Sequence, residues 1–267
     1  MRKKIKNISV IGDGGWGTTL AIHLYENGFS VRLWGVFPDY VKRTQETRCN
    51  SRFLPGIKIP KGLHVTSDLK EAIEQSDLIV LAVPSQYAKS ILSKIKSYNY
   101  SKAIFLSVIK GIDNTRLIRM SQLIHQILGK SIPLAALSGP TIAMEVALKV
   151  PSTAVIASHN PQIAKKLQEI FNSRSFRIYT NSDIIGVELG GSIKNIIAIA
   201  CGVCDGLGFG ANTKSAILCR GLAEMAKLGE VLGAKKDTFF GLSGLGDLAT
   251  TCFSPQSRNR RVGGQLG

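Results

Sequence analysis

The chain has no uninterrupted apolar run near the roughly 20 residues that span a membrane, so no membrane insertion is expected. Met1-Arg2-Lys3-Lys4 leads toward a strand instead of the apolar segment of a secretory signal, and a soluble, cytoplasmic protein is the expectation. Cysteine is sparse: Cys49, Cys201, Cys204, Cys219 and Cys252 are odd in number and form no disulfide framework, which suits a reducing compartment. Cys201 and Cys204 make a C-x-x-C, but with no second pair and no nearby histidine they read as packing, not as zinc or redox chemistry. His23, His64, His125 and His159 stand singly, without metal-ligand spacing, so no metal is expected. Internal repeats and low-complexity segments are also absent.

Acid is scarce too. Against 34 Lys and Arg there are only 18 Asp and Glu, a formal charge of +16. A nucleic-acid partner is not expected, because the basic residues are dispersed and neither interleaved aromatics nor a zinc-finger or RRM signature accompanies them. The same field would draw an anionic small substrate.

What is present is an apolar strand, residues 8–11, running into Gly12-Asp13-Gly14-Gly15-Trp16-Gly17 and then a helical pattern closed by Asn27-Gly28. Gly12, Gly14 and Gly17 fill a G-x-G-x-x-G frame. In that frame the first glycine permits the tight turn, the second lets backbone approach a pyrophosphate and the third lets the helix close onto the strand. The free N–H groups of the helix start then face phosphate. A second strand follows at residues 30–34, and Gly35-Val36-Phe37-Pro38-Asp39 stands where an acid would hold a ribose or an arginine a 2′-phosphate. With Arg32, Asp39, Lys42 and Arg43 all near, this turn leaves NAD and NADP both open.

Residues 48–62 read as a loop, residues 64–66 as a short strand, and Ser67 as the cap of a helix through residue 73. The run 78–83, stopped by Pro84, has the pattern of a strand buried on both faces. Helices over 87–96, 116–128 and 161–171 alternate with strands over 103–108, 134–137 and 176–179. Alternation of this kind predicts an α/β fold with a parallel sheet and helices on both faces. Ligands of such sheets sit beyond the carboxyl ends of the strands, where Val83-Pro84-Ser85, Lys110-Gly111 and Ser138-Gly139-Pro140-Thr141 fall.

Beyond residues 181–183 the pattern turns helical and Gly/Ala-rich, so the expected division is a dinucleotide-binding domain, 1–182, and an all-helical substrate domain, 183–267. Lys194 lies inside an apolar helical run. It is either buried, with its pKa lowered into the range useful for proton transfer, or it snorkels to solvent, and spacing does not choose. Asp247 follows a glycine-rich loop, and Ser257-Arg258-Asn259-Arg260-Arg261 offers guanidinium groups suited to phosphate.

Six segments in this order resemble the bacterial-type NAD(P)-dependent glycerol-3-phosphate dehydrogenases: Gly12 to Thr18, Lys110-Gly111-Ile112, Leu137 to Thr141, Gly190 to Asn195, Gly244 to Leu248 and Ser257-Arg258-Asn259. The resemblance implies a Rossmann-type first domain, and Lys194 as the catalytic proton donor and acceptor. It assigns Gly12, Gly14, Gly15, Trp16, Gly17, Phe53, Lys110, Ala143 and Arg258 to a NAD or NADP cofactor. Lys110, Gly139, Thr141, Asp247, Ser257, Arg258 and Asn259 go to glycerol 3-phosphate or dihydroxyacetone phosphate. The implied role is supply of glycerol 3-phosphate for phospholipid synthesis, with a homodimer left open; a 2- or 3-hydroxyacid dehydrogenase is the alternative. Relatives usually carry His-Arg after the second strand, where this chain has Val36-Phe37, and a tyrosine where it has Phe53. The resemblance also carries further helices beyond Gly267, so exposed apolar surface is expected on the second domain.

Overall fold

The computed structural model describes residues 5–101 and 103–267, and the expectation for Met1 to Lys4 lies outside them. The first half alternates as the apolar pattern predicts: β1 Asn7–Ile11, α1 Gly15–Glu26, β2 Ser30–Trp34, α2 Pro38–Thr47, β3 His64–Thr66, α3 Leu69–Ile73, β4 Leu78–Leu81, α4 Ser85–Ile95 and β5 Ile104–Ser107. The cap of α3 is Asp68 and not Ser67: its carboxylate accepts from the Lys70 and Glu71 N–H groups at 2.8 and 3.2 Å. A carboxylate at a helix start is stabilised by both the free N–H groups and the helix dipole, which a hydroxyl matches less well.

A two-residue hairpin, β6 Ile112–Asp113 with β7 Ile118–Arg119, precedes α5 Met120–Leu128; too short for any period, it replaces the expected first turn of that helix. Then come β8 Leu134–Ser138, α6 Ala143–Ala147, β9 Ser152–Ala157, α7 Pro161–Phe171 and β10 Phe176–Asn181. The sheet order is β10-β9-β8-β5-β4-β1-β2-β3.

One expectation needs correcting. The strands from β3 to β8 in that order are parallel, but β9 pairs antiparallel with β8, and β10 follows β9 in its direction. The sheet is therefore mostly parallel. The chain leaving β8 makes only the short helix α6, packed on α1, and turns back beside the strand it has left. Reversal at a sheet edge needs no crossover, whereas a further parallel strand would. Strand β9 escaped the sequence reading because its outer residues, Ser152 and Thr153, break the apolar run.

Large apolar side chains fill both faces of the sheet, with Ile8, Val10, Leu20 and Leu24 on one and Ile79, Leu81, Leu92 and Phe105 on the other. After Asn181 everything is helical: α8 Ile184–Gly206, α9 Ala211–Val231, α10 Lys236–Phe240, a wide π-type turn Leu242–Gly246, α11 Asp247–Phe253 and α12 Arg258–Leu266. Asp183 starts α8, accepting from the Gly186 N–H at 2.9 Å while its other oxygen takes the Lys235 N–H and the Thr238 hydroxyl.

α8 is long and apolar enough to cross a membrane by length and composition. It is instead the core helix of this half, packed against α9, α11, α12 and β8, with its charges partnered inside the protein. Ala136, Val155, Ala157, Ile184 and Val187 join it to the sheet in one cluster. The helical half also exposes Ile196, Leu228, Val231, Phe240, Phe253 and Leu266.

Candidate active site

The turn after β1 is built as the glycine spacing predicts. Gly12 has φ of +120°, and a Cβ there would stand 2.8 Å from the carbonyl carbon of Ala82 at the end of β4. A Cβ on Gly17 would strike the Gly12 carbonyl, so α1 can sit on the strand end only without one. Above Gly14 nothing lies within 4 Å of the same position. No side chain caps α1 and no acid occupies its first turn. An uncapped helix start beside open space, at the point where strand order reverses between β1 and β4, fits a pyrophosphate.

The other residues assigned to a cofactor surround this turn. The Phe53 carbonyl closes over Gly15, 2.6 Å from where its Cβ would be, and the Ala143 carbonyl accepts the Thr19 hydroxyl at 3.0 Å. Trp16 turns its indole away into the sheet domain's core, edge-on to Phe176 with ring centroids 6.2 Å apart. Its Nε1 is the one buried side-chain polar atom without a partner among the described residues.

Across the same edge of the sheet, loops and helices bring three charges together. Lys110, beyond β5, donates to Asp247 Oδ2 at 2.7 Å, to the Gly139 carbonyl at 3.0 Å and to Thr141 Oγ1 at 3.4 Å. Lys194, from the middle of α8, donates to Asp247 Oδ1 and, at 2.5 Å, to Thr251 Oγ1. The Ser138 hydroxyl lies 3.5 Å from Asp247 Oδ2. One carboxylate thus holds both lysines, one per oxygen.

Close backbone approach produces this meeting. A Cβ on Gly190 would lie 3.1 Å from the Ser243 carbonyl carbon, so the glycine lets α8 press onto the turn that precedes Asp247. The π-type turn Leu242–Gly246 then delivers Asp247 into the first turn of α11, where the helix dipole favours its charge. Wide turns of this kind recur at functional sites.

Burial settles the alternatives for Lys194: it is 4% exposed and does not snorkel. Its pKa is lowered to about 8, first by desolvation and then by the Lys110 charge, with Asp247 pulling the other way. An ammonium ion with that pKa exchanges its proton near neutral pH. Two cations on one anion leave a surplus positive charge in the pocket, which complements a phosphorylated substrate.

The Ser257-Arg258-Asn259 segment opens α12. Ser257 caps that helix, its Oγ accepting from the Arg260 N–H at 3.2 Å, and Asn259 donates to Asn195 Oδ1 at 2.7 Å, which ties α12 to the turn carrying Lys194. Arg258 is exposed and makes no hydrogen bond or ion pair among the described residues. Arg260, in contrast, is committed to Asp205, which also holds Lys214. The sequence reading missed Thr251 and Asn195 as members of this group. Thr251 lies one helical turn after Asp247, so helical spacing from the carboxylate would have found it; Asn195, next to Lys194, meets Asn259 across the fold, which no spacing along the chain signals.

Family models place the chain next. Residues 7–164 match that for the N-terminus of NAD-dependent glycerol-3-phosphate dehydrogenase, and residues 183–267 match that for its C-terminus. The chain is 46% identical over 264 residues to a protein of Geobacter sp. (strain M21) named as an NAD(P)+ glycerol-3-phosphate dehydrogenase, covering 98% of this chain and 79% of the relative. Among solved structures, the glycerol-3-phosphate dehydrogenase of Coxiella burnetii superposes with a TM-score of 0.95 at 40% identity, over 98% of this chain and 80% of that one. The Plasmodium falciparum enzyme of the same name gives 0.89 at 30% identity, over 98% and 76%. On these matches, with a glycine turn and a lysine-carboxylate cluster facing one another across the strand ends, the chain belongs to the NAD-dependent glycerol-3-phosphate dehydrogenase family.

Proposed function

We propose that the protein interconverts sn-glycerol 3-phosphate and dihydroxyacetone phosphate, using NAD or NADP and supplying glycerol 3-phosphate for phospholipid synthesis. The observation that carries this reading is the Lys194–Asp247–Lys110 cluster beside the glycine turn, with Lys194 and Asp247 buried and Lys110 half-buried. Residues 1–182 would hold the cofactor through Gly12 to Gly17, Phe53, Ala143 and Lys110, and residues 183–267 would supply proton transfer and phosphate recognition.

A bound nicotinamide would supply the hydride that C2 of the ketone takes and would accept it from C2 of the alcohol in the reverse sense. Lys194 moves the matching proton: its ammonium ion protonates the carbonyl oxygen during reduction, and the neutral amine removes the hydroxyl proton during oxidation. Asp247 and Thr251 orient Lys194 Nζ, while Asp247 also steadies Lys110. Lys110 polarises the carbonyl oxygen and, with Thr141 and Gly139, borders substrate and cofactor. Arg258, unpaired at the start of α12, grips the phosphate beside Asn259 and Ser257.

We further propose a cytoplasmic location, in keeping with five free cysteines, and a homodimer that covers part of the exposed apolar surface of the helical half. The test of the activity is oxidation of NADH or NADPH by purified protein, followed by absorbance. Dihydroxyacetone phosphate should drive it. Turnover with a 2- or 3-oxoacid in its place would overturn the assignment in favour of a hydroxyacid dehydrogenase.

A further inference from the structure

Asp13 stands between Gly12 and Gly14, and the pyrophosphate geometry gives its side chain nothing to do. That side chain runs sideways along the sheet edge instead of toward α1. A Cβ built on Gly35, the residue after β2, would lie 2.6 Å from Asp13 Cγ and 2.7 Å from Val41 Cγ2 of α2. The carboxylate therefore lies over the carboxyl end of β2, against the helix that follows.

The crevice beyond that strand end is where a fold of this kind keeps the adenosine ribose. An acid there accepts a hydrogen bond from the 2′-hydroxyl of NAD, and a cation takes the 2′-phosphate of NADP. In this chain the strand end itself, Trp34-Gly35-Val36-Phe37, provides neither, and Val36 and Phe37 are exposed apolar side chains. The acid reaches the same place from the neighbouring turn.

The surroundings leave that acid unpaired. Asp13 uses its main-chain carbonyl to accept from Asn50 Nδ2 at 2.7 Å and from the Thr18 hydroxyl at 3.3 Å, which fixes the turn. Its carboxylate has no ion pair and receives no hydrogen bond from any other residue among those described. Burial pushes its pKa up, opposed by its own backbone N–H. The neighbouring cations offer no relief: Lys42 and Arg43 are exposed on α2, and Arg32 precedes the strand end on the face it shares with Trp34. The half-buried carboxylate keeps acceptor capacity that no other described residue uses, and a ribose hydroxyl would fill it.

We propose that Asp13 is the determinant of cofactor choice in this protein, its carboxylate accepting the adenosine 2′-hydroxyl of NADH and repelling the 2′-phosphate of NADPH. The proposal rests on the dehydrogenase reading above. It differs from recognition by a residue of the second strand, because the discriminating group comes from the glycine turn.

Calorimetric titration of the protein with NADH, NADPH and 2′-deoxy-NADH tests it without turnover, and kcat/KM for both cofactors accompanies the titration. The parent should bind NADH about tenfold or more tightly than NADPH, the scale of one hydrogen bond to a charged group, and should bind 2′-deoxy-NADH more weakly than NADH. In Asp13→Asn and Asp13→Ala, with far-UV circular dichroism unchanged, the NADPH to NADH ratio of Kd should collapse and the penalty for the deoxy analogue should disappear. An unchanged ratio in both folded variants would overturn the proposal, as would a parent that prefers NADPH. Should both variants fail to fold, the deoxy analogue on the parent decides: equal affinity for it and NADH refutes the hydrogen bond. If the parent binds neither NADH nor NADPH, the dehydrogenase reading falls as well, an outcome distinct from binding without discrimination.

Discussion

Lys194→Met separates catalysis from stability, because the parent protein holds a buried cation at an energetic cost. Folding lowers the Lys194 pKa from 10.5 to about 8. The difference corresponds to about 3 kcal/mol, at about 1.4 kcal/mol per unit, by which the folded state disfavours the charged lysine. A lysine with a depressed folded pKa imposes that penalty in full below the folded value, near pH 8. The penalty fades as pH rises toward the unfolded value, because the unfolded chain then binds more protons than the folded one.

Methionine is close in length and carries no charge, and Asp247 keeps Lys110 as its partner at 2.7 Å. Truncating one member of a buried ion pair usually costs several kcal/mol because the other is left unpaired, but here a second cation remains. Lys194→Met should therefore lose about 10²–10⁴ in kcat through the missing general acid. At pH 7 it should be as stable as the parent or more so. The decisive measurement is urea denaturation of both proteins between pH 7 and 10.5. The stability difference should shift toward the parent by about 3 kcal/mol across that window. A difference that stays flat with pH would refute the reasoning, and activity within a few-fold of the parent would remove Lys194 from the chemistry.

With Lys194 as the proposed proton donor, dihydroxyacetone phosphate reduction should slow as pH rises through about 8, while glycerol 3-phosphate oxidation should rise over the same range; pH–rate profiles in both directions check this. Asp247→Asn removes the charge that holds the Lys194 pKa up, so the limb of the reduction profile should move to lower pH; an unmoved limb would mean that Asp247 does not act on Lys194. Arg258→Lys keeps the charge but loses the planar fork. It should raise KM for glycerol 3-phosphate while leaving turnover of phosphate-free glycerol, itself a poor substrate, little changed; equal losses on both would move Arg258 out of the phosphate site. Glu188 accepts from Arg119 Nη1 at 2.8 Å and from the Ser121 N–H and hydroxyl at 2.7 and 2.6 Å, joining α8 to the start of α5. Glu188→Gln leaves Arg119 without its anion and should cost about 3 kcal/mol in chemical denaturation; a loss under about 0.5 kcal/mol, the size usual for a surface change, would show that water solvates Arg119.

Much of this protein is local, and the amino-acid order alone determines it. The turn Gly12 to Gly17 follows from steric demands made within a few residues, and the alternation of β1 through β5 with helices follows from apolar period and length. The absence of a side-chain cap on α1 is likewise written into Gly14. Other features depended on where the chain goes. The direction of β9 is set by whether the segment after β8 crosses the sheet or folds back, and no period encodes that path. An apolar helix with one lysine reads the same whether the lysine meets solvent or a carboxylate, and only the packing of α8 onto the turn before Asp247, 53 residues further on, buries Lys194 and lowers its pKa. Asp13 belongs with these: in the sequence it is a variable position of a glycine motif, and only the closeness of Gly35 at the end of β2 shows that its carboxylate lies over that strand end. Charges far apart in the chain acquire their chemistry from the water that the fold removes between them.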